Sequence, residues 1–130
     1  MAYQLTALVT LAMVATYFWT GLMVGAARGK HGVKAPAIEG PEDFNRVHRA
    51  HVNTLEQFAA MVPAMWVFAY AVGDTWAALL GLVWVVGRIA YVTGYVSAAD
   101  KRGTGFMIGL AALVIAVVGG AGAILWSMAR

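Results

Sequence analysis

The chain has 130 residues, of which 62% are hydrophobic and only 12% are charged, a balance too apolar for a soluble domain of this length. It contains no cysteine, which excludes disulfides, thiolate metal sites and a cysteine nucleophile. The net charge of +3 comes from basic residues placed between apolar segments rather than from a basic run, so we expect an integral membrane protein with no nucleic-acid partner.

The first predicted element is a helix at about residues 3–27. This segment carries no charge, and about 25 residues are enough to cross a hydrocarbon core of roughly 30 Å. It has no basic segment before a short apolar run, as a cleaved signal peptide would. We therefore expect a first transmembrane helix, followed by a polar loop over residues 28–41.

The second predicted helix covers residues 42–72. Pro41 suits the first turn of a helix, and the acidic residues Glu42 and Asp43 suit the positive end of its dipole. Pro63 lies inside this segment and removes one backbone hydrogen bond, so a bend is expected there.

Two further helices are predicted at about residues 75–97 and 104–128, separated by a loop at 97–105. Small residues at helical spacing form a ridge on the fourth helix that permits close packing. They are Gly109, Ala112, Ala116, Gly120 and Ala123. The predicted fold is a single all-α domain, residues 1–130, built as a membrane bundle of four helices.

The distribution of basic residues predicts the orientation. Most of them lie in or beside the loops 28–41 and 97–105, and the positive-inside rule places both loops in the cytoplasm and both termini on the opposite side. Aromatic residues would form a belt at that far interface. They are Tyr3, Tyr70, Trp76 and Trp126.

A polar stripe runs along the start of the second helix. At 100° per residue its members fall within about 80° of one another, and a charged residue at mid-membrane costs about 2.5–3.5 kcal/mol. They are Arg46, Arg49, Asn53 and Glu56. The cost makes a binding function the first hypothesis, although Arg49 and Glu56 could instead neutralise each other or partners on a neighbouring subunit.

The third helix presents a matching face formed by Arg88, Tyr91 and Tyr95, with Arg102 in the loop that follows. Arginine forks bind carboxylates, an amide holds an amide, and a carboxylate pairs with an ammonium. The combined array therefore suits a small ligand that carries carboxylates and an amine.

Two histidines, His48 and His51, stand three residues apart on the second helix, a spacing that also occurs in metal sites. They point away from Glu56, and no second histidine pair or carboxylate cluster accompanies them in the sequence. No metal is therefore predicted.

Two motifs carry a family resemblance. The segment 49–56, Arg-Ala-His-Val-Asn-Thr-Leu-Glu, resembles the R-A-(H/Q)-x-N-x-x-E signature of the MAPEG family, the membrane-associated proteins of eicosanoid and glutathione metabolism. The segment 87–95, with Arg102 seven residues beyond it, resembles that family's third-helix motif. The closest branches are the microsomal glutathione transferases and leukotriene C4 synthase.

The resemblance implies a homotrimer that binds glutathione at each subunit interface on the cytoplasmic side. It assigns Arg102 to the sulfur and a set of other residues to the peptide. That set is Arg28, Arg49, Asn53, Glu56, Arg88, Tyr91 and Tyr95, with Arg46, His51 and Gln57 as further candidates. A nearby guanidinium favours the thiolate over the thiol, and a lipophilic co-substrate would reach it from the membrane lipid.

The sequence thus predicts a glutathione transferase, with glutathione peroxidase activity as a variant of the same chemistry. Gln57 stands where the synthase branch has tyrosine, so eicosanoid specificity does not follow. The alternatives are a non-catalytic lipid-binding partner of the same family and a small four-helix transporter.

Overall fold

A computed structural model describes residues 2–130, and within that range the chain forms helices and no strand. The four α-helices are α1 (Gln4–His31), α2 (Glu42–Val72), α3 (Asp74–Ser97) and α4 (Gly103–Met128), with a 3-10 turn at Ala99–Arg102 before α4. All four are long and apolar enough to cross a membrane. The all-α prediction with four membrane-spanning helices is confirmed.

The first loop is shorter than expected because α1 continues to His31. Gly32 ends the helix with a positive φ of 66° and donates its N–H to the Arg28 carbonyl. Three basic residues in the last turn of α1 suit the negative end of the helix dipole. The prediction of a loop from residue 28 is therefore wrong over residues 28–31.

The second predicted loop, at 97–105, is also too long. α3 ends at Ser97, the extended residue Ala98 turns the chain, and α4 begins at Gly103. The Ala98 N–H donates to the Gly94 carbonyl at 3.0 Å, which closes the last turn of α3. The third connection thus consists of Ala98 and the 3-10 turn Ala99–Arg102.

The core lies around α3, which packs against each of the other three helices. Trp84 is fully buried there among the methionines Met13, Met61 and Met65. The α4 ridge faces this core, with Gly109, Ala112, Ala116 and Gly120 buried and Ala123 half-buried.

The approach of α4 to α3 is close enough to require glycine. A Cβ on Gly105 would lie 2.1 Å from the Tyr91 backbone nitrogen, and one on Gly87 would lie 2.9 Å from the Gly109 nitrogen. These contacts fix α4 against the half of α3 that carries Arg88 and Tyr91.

At the opposite end of the bundle, Asp74 joins α3 to α1. Its carboxylate accepts the backbone N–H groups of Leu5 at 3.0 Å and Thr6 at 2.7 Å. The first N–H groups of a helix have no partner within the helix, so this carboxylate caps α1 from a residue far along the chain. Tyr70, Trp76 and Trp126 are exposed.

We expect Asp74→Ala to lower the melting temperature of the detergent-solubilised protein, because two N–H donors of α1 lose their acceptor. Asp100→Ala, which removes an exposed carboxylate at the other end of the bundle, serves as the control. Equal melting temperatures for the two variants would show that Asp74 does not hold α1 in place.

Candidate functional site

The candidate site lies where the first half of α2 runs beside the second half of α3. Asn53 donates its Nδ2–H to the Tyr91 hydroxyl at 2.6 Å, which ties the two helices together. The rings of Tyr91 and Tyr95 lie 5.7 Å apart along one face of α3. Asn53 and Tyr91 were both predicted for the site, and the structure brings them into direct contact.

Arg88 is the most unusual residue of the site. It is only 2% exposed, and its guanidinium carbon lies 3.9 Å from the centre of the Tyr91 ring. Its Nε and Nη2 atoms are buried and have no hydrogen-bond partner among the described residues 2–130. A buried charge with open donors is costly, and an anion placed against Nε and Nη2 would remove that cost.

Arg88 lines a hollow of about 280 Å³, here called the Arg88 hollow. Its walls are Asn53, Glu56, Gln57, Ala60, Arg88, Tyr91 and Phe106. Five of these side chains are polar or charged, and they come from α2 and α3. The hollow therefore offers a guanidinium, two amides, a carboxylate and a phenol to one ligand.

The orientation of Gln57 in this hollow is set by Trp84. The buried indole N–H of Trp84 lies 3.4 Å from Gln57 Oε1, and because an indole can only donate, the oxygen of the amide faces the tryptophan. The NH2 group of Gln57 therefore remains to donate to a ligand.

A second hollow of about 340 Å³, the Arg102 hollow, adjoins the first. The two share Asn53, Tyr91 and Phe106, and Arg102 with Gly103 completes the second one. The exposed guanidinium of Arg102 lies with its carbon 5.2 Å from the centre of the Tyr95 ring. The Asn53–Tyr91 pair therefore lines two adjoining hollows, one with the guanidinium of Arg88 and the other with that of Arg102.

Arg49 and Tyr95 line a separate groove of about 630 Å³ with the loop before α2. Arg49 is exposed there, and Glu56 is exposed in the Arg88 hollow. Within residues 2–130, the salt bridges join Arg46 to Glu42 and to Asp43. Mutual neutralisation of Arg49 and Glu56 inside one subunit is therefore not the arrangement found.

Arg46, a candidate ligand residue, is already engaged within the chain. In addition to its two carboxylate partners, its Nε donates to the Val96 carbonyl at 3.3 Å. This side chain connects the start of α2 to the end of α3, and it also lines the groove that contains Arg49 and Tyr95.

Two other predicted residues face away from both hollows. Arg28 donates its Nη1–H to the carbonyls of Ala37 at 2.7 Å and Val33 at 3.3 Å, so it fastens the first loop to α1. His51 hydrogen-bonds through Nδ1 with the Thr20 hydroxyl at 2.8 Å and packs α2 against α1. Neither contributes to the Arg88 or Arg102 hollow within one subunit.

The sequence analysis missed Phe106 and Trp84. Phe106 follows Arg102 by four residues and Trp84 precedes Arg88 by four, so each lies one helical turn from a predicted site residue. Extending the polar faces by one turn to include aromatic neighbours would have found both.

Comparison with known proteins gives consistent matches. The sequence model of the MAPEG family matches residues 6–122. An uncharacterized protein of Synechocystis sp. is 47% identical over 122 residues, which cover 94% of this chain and 89% of that protein. These matches confirm the family resemblance that the two motifs predicted.

Two named relatives belong to glutathione and leukotriene metabolism. Microsomal glutathione S-transferase 2 of Mus musculus is 37% identical over 120 residues, covering 89% of this chain and 82% of the relative. Leukotriene C4 synthase of Cavia porcellus is 39% identical over 98 residues, covering 75% and 65% respectively.

We expect Arg88→Met to raise the melting temperature of the ligand-free protein. Each buried donor without a partner costs about 1–3 kcal/mol, and Arg88 has two of them, Nε and Nη2. Stacking of the guanidinium on the Tyr91 ring offsets only roughly 2 kcal/mol of their combined cost. Arg130→Met, at the far end of the bundle, controls for the loss of one arginine. A lower melting temperature for Arg88→Met would mean that Arg88 has a partner in the assembled protein.

Proposed function

The chain belongs to the MAPEG family, and from the open donors of its buried Arg88 we propose that it binds glutathione and presents the thiolate to a lipophilic second substrate.

The buried guanidinium of Arg88 carries the proposal. A carboxylate of glutathione would accept from Nε and Nη2, which removes the cost of two buried donors without partners. Gln57 would add an amide donor beside it, since its oxygen faces Trp84. Glu56 would pair with the ammonium group of the same ligand, and Asn53 would meet a peptide group.

Arg102 is the residue proposed to act on the sulfur. Arg102 lines the Arg102 hollow, which shares Asn53 and Tyr91 with the Arg88 hollow. It does not line the Arg88 hollow itself. A thiol with a pKa of about 8.5 is mostly protonated at neutral pH, and an adjacent positive charge lowers that pKa and so increases the thiolate fraction.

The thiolate would then attack an electrophilic carbon of a lipophilic substrate, forming a C–S bond while the leaving group departs or an opened ring oxygen takes up a proton. With a lipid hydroperoxide, two glutathiones would be oxidised to the disulfide while the hydroperoxide is reduced to an alcohol and water. Phe106, exposed and common to both hollows, provides an apolar contact for such a substrate.

The proposed assembly is a homotrimer with one glutathione at each subunit interface. In the single chain, Arg49 lies exposed in the groove beside α2, away from the Arg88 hollow, so it would meet the ligand of a neighbouring subunit. Arg28 and Tyr95 would likewise contribute to the glutathione sites of the trimer. By the positive-inside rule the sites would face the cytoplasm.

Glutathione is expected to raise the melting temperature of the wild-type protein, because a ligand that binds only the folded state stabilises it by about 2.7 kcal/mol at a hundredfold excess over its Kd. Arg88→Met should show no such rise. In parallel, the purified protein should conjugate glutathione to a lipophilic halide or reduce a fatty-acid hydroperoxide. A protein stabilised by lipid alone and inactive in both assays would instead be a lipid-binding partner.

Arg102→Ala should spare glutathione binding and reduce turnover at neutral pH by about tenfold or more. The reason is that a guanidinium that lowers the thiol pKa by one to two units contributes roughly 1.4–2.7 kcal/mol of thiolate stabilisation. Activity should partly return as the pH rises and the thiol ionises without help. Thiolate absorbance of bound glutathione, measured against pH, tests this, and an unchanged titration would remove Arg102 from the chemistry.

A further inference from the structure

The end of α3 makes two contacts that the chemistry described above does not use, one with the turn that carries Arg102 and one with α2. We propose that Gly94 and Arg46 are positioning residues, which set the place of the Arg102 guanidinium and so act on turnover through it. The inference rests on the proposed role of Arg102.

The first contact is the close approach of the turn to Gly94. A Cβ at this position would lie 2.3 Å from the Lys101 carbonyl oxygen, whereas real Cβ atoms almost never approach below 3.0 Å. The obstructing atom belongs to the backbone, so it cannot move by a change of rotamer. Any side chain at position 94 would therefore displace the residue directly before Arg102 by several tenths of an ångström.

The second contact is the hydrogen bond from Arg46 to the last turn of α3. The final carbonyls of a helix have no partner within the helix, and Arg46 Nε donates to that of Val96 at 3.3 Å. Glu42 accepts from Nη1 at 2.8 Å and Asp43 accepts from Nη2, so the guanidinium is fixed from both sides.

These two contacts converge on Tyr95, which lies between Gly94 and Val96 in the sequence. The centre of its ring lies 5.2 Å from the guanidinium carbon of Arg102, which lines the Arg102 hollow. Because Arg102 itself is exposed and forms no salt bridge within residues 2–130, the position of its charge depends on the backbone of the turn and on this ring. A shift of that backbone moves the charge away from the sulfur.

A double-mutant cycle between Gly94→Ala and Arg102→Ala tests the proposal on the full-length, glutathione-loaded protein. Gly94→Ala should lower kcat at neutral pH by about tenfold, since a misplacement of about 1 Å can cost up to a hundredfold. The KM for glutathione should stay within about twofold, and the thiolate titration should move toward that of free glutathione. In the Arg102→Ala background, the same change should have no further effect on kcat.

Gly122→Ala is the matched control, because a Cβ there meets no atom within 4 Å and its position on α4 is far from the site. If Gly94→Ala does not fold, Arg46→Lys replaces it in the same cycle, since an ammonium keeps the charge but lacks the fork that holds three partners at once.

Losses in kcat that simply multiply in the double variant would overturn the proposal, because they would show that Gly94 or Arg46 acts on the fold rather than through Arg102. A Gly94→Ala protein with wild-type kcat and titration would overturn it as well. A fully active Arg102→Ala variant would contradict the role of Arg102 in the proposed function. It would thereby also overturn the positioning role of Gly94 and Arg46, which acts through Arg102.

Discussion

The candidate site is organised around one positive charge, the buried guanidinium of Arg88. Arg88 lies one turn from Tyr91 on α3 and is 2% exposed, and α4 packs closely on the same part of this helix at Gly105. Charge burial of this kind is costly unless a partner is present. Nothing in the described residues 2–130 satisfies Nε and Nη2, and this is the observation from which the proposed binding role of Arg88 is argued.

The division between the two arginines follows from their surroundings. The guanidinium of Arg88 stacks on the buried ring of Tyr91, which restricts its position and would suit recognition of a carboxylate in one fixed place. Arg102 stands in a short turn at the surface, next to Tyr95, where a charge can influence the ionisation of a neighbouring group without being buried itself. The proposed roles in recognition and activation thus fall to a buried residue within α3 and an exposed residue of the turn before α4.

The helices and their faces could be predicted because membrane-spanning length, proline and acidic residues at a helix start, and 100° spacing are all local properties of the chain. The pairing of Asn53 with Tyr91 follows from two such faces meeting. The loop ends were placed less accurately, since the basic residues after Ala27 continue α1 until Gly32 stops it. Charge alone does not end a helix when it suits the dipole.

The sequence alone does not predict which partner each polar side chain contacts when several partners are within reach. Arg46 and Arg49 lie on the same stripe, yet Arg46 is fixed by two acids and a carbonyl while Arg49 remains exposed. Two of the Arg46 partners, Glu42 and Asp43, stand four and three residues before it on α2, whereas the Val96 carbonyl is 50 residues away. Only the packing of α2 on α3 brings that carbonyl within reach of Arg46, and a contact of this kind is not a local property of the chain.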